Sequence, residues 1–209
     1  MRIVKLTQKE RENILENLLK RSPNQYSKFE TTVRDILDKV KAEGDQALFA
    51  YTEQFDGVKI TEETFRVTEE EIAEAYEKVD SHLIEIIRKA LVNIRDYHQK
   101  QVRYSWFDSK PDGTLLGQKV TALERVGVYV PGGKAVYPSS VLMNIVPAKI
   151  AGVAHVVMCT PCNKEGKVNP AVLVAAKEAG ADEVYKVGGA QAIAAMAFGT
   201  ESIPKVDKI

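Results

Sequence analysis

An α/β fold is predicted: a helical N-terminal region, a β-hairpin, and then a parallel sheet whose strands alternate with helices. Three observations predict it. Charge falls along the chain, with 42 of the 58 charged side chains in residues 1–123 and 16 in residues 124–209. Nine of the 13 glycines lie from Gly127 onward. The hydrophobic period also changes, from helical spacing before Val102 to short apolar runs bounded by glycine turns after Glu124. This composition step at Leu123–Glu124 marks a candidate domain boundary. It separates residues 1–123, a helix-rich arm with part of a first α/β domain, from residues 124–209.

The helices come first. Val33, Ile36, Leu37, Val40, Ala47, Leu48, Tyr51 and Phe55 recur at helical spacing, with Gly44 expected as a tolerated interruption. Thr68 followed by Glu71 is a capping box. It opens an apolar stripe of Ile72, Tyr76, Val79, Leu83, Ile86, Ala90, Ile94 and Tyr97, which Asp80-Ser81 divides. The Glu- and Lys-rich opposite faces read as solvated surface. From Val102 the pattern becomes strand-like. VRYSWFD and TLLGQKVTAL flank Pro111-Asp112-Gly113, a turn signal, and together predict a β-hairpin.

After the hairpin, strand and helix alternate. Glu124–Val130 (ERVGVYV) is a buried-strand pattern ending in Pro131-Gly132-Gly133. Ser139–Gly152 is helical, with Ser139 or Ser140 as the expected N-cap and Pro147 expected to kink it or end it early. Val153–Cys159 is a second strand, and Asn169–Ala179 a second helix stopped by Gly180. Glu183–Val187 is a third strand, followed by Gly188-Gly189 and the helix AQAIAAMAFG. KVDKI reads as the start of a fourth strand. Such β-α-β-α-β-α order makes an incomplete Rossmann-like parallel sheet, cut as its fourth strand begins. A short sheet with an unpaired edge leads to an expectation of marginal solubility or partner-dependent folding.

Composition excludes several functions. Lys+Arg 29 against Asp+Glu 29 gives a net charge of zero, which argues against nucleic acid or an anionic membrane as main partner. No apolar run approaches the roughly 20 residues that span a bilayer. Two cysteines and no visible secretory signal predict a reducing, cytoplasmic setting.

In open α/β sheets ligands bind outside the carboxyl ends of the strands. Two glycine pairs stand there, Gly132-Gly133 and Gly188-Gly189. Glycine lets backbone N–H groups approach a phosphate, and a helix N-terminus adds partial positive charge. Tyr129 offers a ring and a hydroxyl, and Gln191 an amide that donates and accepts. Tight turns alone would also explain the glycines. No G-x-G-x-x-G occurs, and a P-loop would need glycine where Val128 stands and Ser or Thr where Ala135 stands. Cys159-Thr160-Pro161-Cys162 has thioredoxin-like C-x-x-C spacing but closes a strand instead of opening a helix, and no second ligand pair completes a zinc site. His82 and His98 would lie about 160° apart on one continuous helix, and His155 falls inside a strand. No catalytic or metal-ligating residue is assigned.

Longer stretches carry more information. ERVGVYVPGGKAVYPSSVLMNIVPAKIAGV and KVGGAQAIAAMAFGTESIPKVDKI resemble the N-terminal half of the histidinol dehydrogenase family, as does the upstream EGDQALFAYTEQFDGV. The resemblance implies an NAD- and zinc-dependent homodimer that oxidises L-histidinol through L-histidinaldehyde to L-histidine. It matches Tyr129 and Gln191 to NAD-contacting residues, with Pro131, Gly132, Gly133, Gly188 and Gly189 in the same turns. Ser139 and Ser140 are expected near the substrate cleft. CTPC departs from the family's more usual proline at the second position, which favours reading Cys162 as incidental. In the family a GPGN turn, the zinc ligands and a Glu-His pair follow KVDKI, so the chain is expected to be inactive alone and to bind NAD feebly. The alternatives are a non-catalytic NAD-binding or dimerisation module, and a thiol redox protein using CTPC.

Overall fold

A computed structural model of the chain describes residues 7–9, 11–12, 27–132 and 136–209. The chain divides into two compact units, Met1–Ile36 and Leu37–Ile209. Helix α1 (Ser27–Glu43) begins in the first unit and ends in the second. Every later element belongs to the second unit.

Gly44 breaks the predicted long helix outright. Its φ of +56° and ψ of −132° are incompatible with helix continuation and strained for any residue with a Cβ, so α2 (Asp45–Asp56) starts afresh. Gly57 at φ +68° closes α2 in the left-handed conformation. A short helix, α3 (Glu62–Phe65), precedes α4 (Glu69–Lys78) and α5 (Ser81–Gln99). The Thr68–Glu71 capping box is formed, with both reciprocal bonds at 3.2 Å. Asp80 separates α4 from α5, its carboxylate accepting the N–H groups of His82 and Leu83 at 2.8 and 3.3 Å.

The hairpin pairs β1 (Trp106–Ser109) antiparallel with β2 (Leu115–Gln118), Trp106 opposite Gln118. Asp112 accepts from the Thr114 N–H at 2.9 Å across the turn, where Gly113 takes φ +86°. Every residue of both strands is exposed.

The parallel sheet contains β3 (Arg125–Tyr129), β4 (His155–Cys159) and β5 (Glu183–Tyr185), in the order β3-β4-β5. KVDKI joins the free side of β3: Gly127 N–H donates to Lys208 O at 2.8 Å, and Asp207 N–H to Arg125 O at 2.9 Å. Counted by β-α unit, the spatial order is therefore third, second, first, fourth. The order reverses beside β3, which is where such sheets open a ligand crevice. The outer edge of β5 is not bare, because Val67 N–H donates to Val184 O and Lys186 N–H to Phe65 O, both at 2.9 Å.

Three helices connect the strands: α6 (Pro138–Ile150), α7 (Pro170–Ala179) and α8 (Gly189–Phe198). Strand alternation sorts them onto two faces. Val128, Val156, Met158 and Val184 enter a core with α6 and α7, and α4 and α5 pack outside those helices through Ala75, Ile87 and Leu91. Gly127 points the other way, where an added Cβ would lie 2.6 Å from Met196 Sδ of α8. That second face also receives α2. The first core thus draws on residues from both sides of the composition step at Leu123–Glu124.

Helix α6 corrects one expectation and narrows another. Its N-cap is Tyr137, which makes no side-chain cap, and Pro138 occupies the first turn with its φ already set. Ser139 and Ser140 therefore lie inside the helix. Pro147 does not end α6, which continues to Ile150.

Candidate nucleotide-binding site

Three strand ends converge on one proline. Tyr129 ends β3 and Pro131-Gly132 follow it; Pro161 follows β4; Gly188-Gly189 follow β5. A Cβ on Gly132 would lie 2.5 Å from Pro161 Cγ, and one on Gly188 would lie 2.8 Å from Pro161 Cβ. Neither glycine has a positive φ. Close approach of the three turns, and not backbone conformation, is what demands glycine at both positions. Gly189 differs, with a φ of +66°.

The turn after β5 opens α8, and two side chains meet there. The Tyr129 hydroxyl accepts the Gly189 N–H at 3.1 Å, tying the end of β3 to the start of α8. Gln191, in the first turn of α8, is 1% exposed, and neither its Nε2 nor its Oε1 has a hydrogen-bond partner among the described residues. Its Oε1 occupies the space a Gly189 Cβ would need, at 2.5 Å. A buried amide with both polar atoms unpaired costs stability, and such groups call for an explanation.

A cavity of about 800 Å³ opens beside them, within the range of small-ligand sites. Tyr129, Pro131, Gly132 and Gly189 line it. Gly188 is buried under Pro161, and Gln191 lies buried beside Gly189. Ser139 and Ser140 are not in the lining. Gly133 lies outside the described residues.

Sequence reasoning missed the charged groups in and behind the lining. Lys186, only 7% exposed at its side chain, pairs with Glu71 Oε1 at 2.7 Å, while the other oxygen of Glu71 serves the α4 capping box. Glu74 receives Lys167 at 3.0 Å and Lys78 at 2.5 Å, and those hydrogen bonds pull its pKa from the ordinary 4.5 to about 2. Asp56, the last residue of α2, has its pKa raised by burial, and its Oδ2 is buried with no partner among the described residues. A lysine inside the buried run EVYKV was the available signal for Lys186. Asp56-Gly57 carried none, because an aspartate before a glycine is ordinary helix-end chemistry.

The other candidates fall away from this chemistry. Burial pushes the pKa of the Cys159 thiol up, and burial followed by the charge of Asp56 does the same to Cys162, so neither favours a thiolate. His82 is exposed on α5 and His98 partly so. His155 starts β4, at the opposite end of the sheet from the glycine turns. Among the described residues no group of His, Cys, Asp and Glu could hold a metal ion, so the described side chains do not fit zinc. They do fit a dinucleotide, through the glycine cradle and the unpaired Gln191 amide.

The family model described as histidinol dehydrogenase matches residues 19–209. A histidinol dehydrogenase of Bacillus subtilis is 57% identical over 178 residues, covering 85% of this chain and 41% of the relative. One from Heliobacterium mobile is 53% identical over 194 residues, covering 93% and 45%. The crystal structure of histidinol dehydrogenase from Elizabethkingia anophelis superposes with a TM-score of 0.81 at 38% identity, covering 87% of this chain and 41% of that one. The chain spans about two fifths of the length of these relatives. A matched family model across nine tenths of the residues, on the same fold, leaves one conclusion: this chain belongs to the histidinol dehydrogenase family.

Proposed function

We propose that this chain is the cofactor-side part of an NAD-dependent enzyme that oxidises L-histidinol through L-histidinaldehyde to L-histidine. The observation that carries the reading is the fully buried, unpaired amide of Gln191 beside the Tyr129–Gly189 hydrogen bond. Residues 124–209 form the incomplete Rossmann-like NAD-binding part, and residues 1–123 the helical arm with part of a first α/β domain. Bound NAD supplies a hydride acceptor. The residues of this chain bind and orient it: Gly132, Gly188 and Gly189 allow the backbone close to the phosphates, Tyr129 holds the α8 N-terminus in place, and Gln191 donates and accepts.

Oxidising an alcohol also needs a group that takes the hydroxyl proton, and the aldehyde step needs an activated water. We assign neither role to a residue of this chain. Zinc and the proton-handling residues belong in this reading to other parts of a longer, homodimeric, cytoplasmic protein, and the chain assayed alone should be inactive.

The test has two parts. The chain with L-histidinol, NAD and zinc should produce no NADH, and a rate near that of the B. subtilis relative would refute the assignment of chemistry elsewhere. Adding the complementary C-terminal part of that relative should restore NADH formation. NADH binding without restoration would favour the second reading, a non-catalytic NAD-binding or dimerisation module.

A further inference from the structure

We infer that Asp56 receives the hydroxyls of the adenosine ribose and rejects a dinucleotide phosphorylated at the 2′ position; this rests on the dinucleotide reading above. In nucleotide-binding parallel sheets an acidic residue at the carboxyl end of the second strand takes the ribose hydroxyls. The second strand here is β4, and the loop after it brings one carboxylate to the cavity, that of Glu165, which already accepts the Asn163 side-chain amide at 3.2 Å. Asp56 supplies an unpartnered one from a different element. It lines the same cavity as Thr160, Pro161 and Cys162, and its charge acts on the Cys162 thiol.

The placement of Asp56 works against stability. It ends α2, where the helix dipole disfavours a negative charge. Its Oδ2 is shielded from solvent and receives no hydrogen bond from the described residues. The lysines around the cavity do not neutralise it: Lys186 pairs with Glu71, and Lys78 and Lys167 pair with Glu74. What the carboxylate lacks is a neutral donor, and a vicinal diol brings two O–H donors together. A 2′-phosphate in that place would set a dianion against an unneutralised carboxylate. Lys164, exposed on the loop after β4, is the lining cation that could oppose this preference, and so becomes a control.

Titrating the full chain with NADH and with NADPH, followed by nicotinamide fluorescence, tests the inference. The wild-type chain should prefer NADH by roughly tenfold or more. Asp56→Asn should weaken NADH by about tenfold, the loss expected for a hydrogen bond to a charged group, and should remove the preference. Asp56→Ser repeats the measurement should the asparagine variant fold poorly, and far-UV circular dichroism with a urea midpoint establishes folding for both. An unchanged preference in folded Asp56 variants overturns the inference, as does equal binding of the two dinucleotides by the wild type. A preference that moves with Lys164→Ala and not with Asp56→Asn also overturns it. Absence of saturable NADH binding in the wild type defeats the dinucleotide reading itself, a result distinct from the Asp56 outcomes.

Discussion

Replacing Gln191 with Met should stabilise the chain and abolish its dinucleotide binding. Gln191 is 1% exposed, and both polar atoms of its amide are buried without partners among the described residues. A buried polar group left unpaired costs about 1–3 kcal/mol. Met is unbranched, similar in length and equally suited to a helix, so it can fill the space beside Gly189 without a new clash. The expected gain is about 1–2 kcal/mol. At about 2–4 °C per kcal/mol for a domain of this size, the thermal midpoint should rise by several degrees. Urea unfolding followed by circular dichroism reads the change directly, provided the m-value is unchanged. NADH titration of the same preparation should show binding lost. A loss of about 1 kcal/mol or more in stability would mean that the amide is hydrogen-bonded within the fold, refuting the argument from its unpaired state. A more stable variant that still binds NADH would remove Gln191 from the site.

The geometry leads to three further outcomes. Gly132→Ala places a Cβ 2.5 Å from the Pro161 ring and should cost about 1–3 kcal/mol; adding Pro161→Ala should recover most of it, a coupling that a double-mutant cycle in urea measures. Lys186→Met leaves Glu71 half-committed to the capping box without its buried partner and should cost about 3 kcal/mol by urea denaturation. The acid limb of stability should run downward as pH falls. Arg88 hydrogen-bonds Glu178 at 2.8 Å and holds its pKa below the ordinary carboxylate range, and Glu74 is held at about 2. Both therefore contribute stability above the unfolded-chain value of about 4.5, and that contribution is lost as pH drops through the depressed pKa values. Asp56 has the opposite sign, since its raised pKa makes the fold less stable as pH rises through the window between its unfolded and folded values. Urea midpoints across this range should flatten in Glu178→Gln, and an unchanged slope would contradict the assignment.

Local signals were legible where one residue acts on its own backbone neighbours. The Thr68–Glu71 capping box, the Asp80 break, the Asn169 cap and the Gly180 stop all stand where short-range hydrogen bonding requires them. Ser139 and Ser140 misled for a related reason. Serine is a good N-cap, but Pro138 just before them prefers the first helical position, which moves the cap to Tyr137. Gly44 looks tolerable in the sequence because a sequence does not disclose its φ, and at +56° the helix cannot pass through it.

The amino-acid sequence by itself determined the α/β order of elements, the glycine turns and the family. Each of these is written in a contiguous run, where spacing of a few residues sets which groups can meet. Only the tertiary structure decided that Pro161 is the surface on which two glycines close, that KVDKI lies beside β3, and that Glu71 neutralises Lys186 across more than a hundred residues. It alone brought Asp56, far from β4 in the chain, into the lining beside Cys162. Those pairings depend on which faces of separate elements are buried together, and burial is what makes an unpaired carboxylate or amide costly enough to signal a ligand.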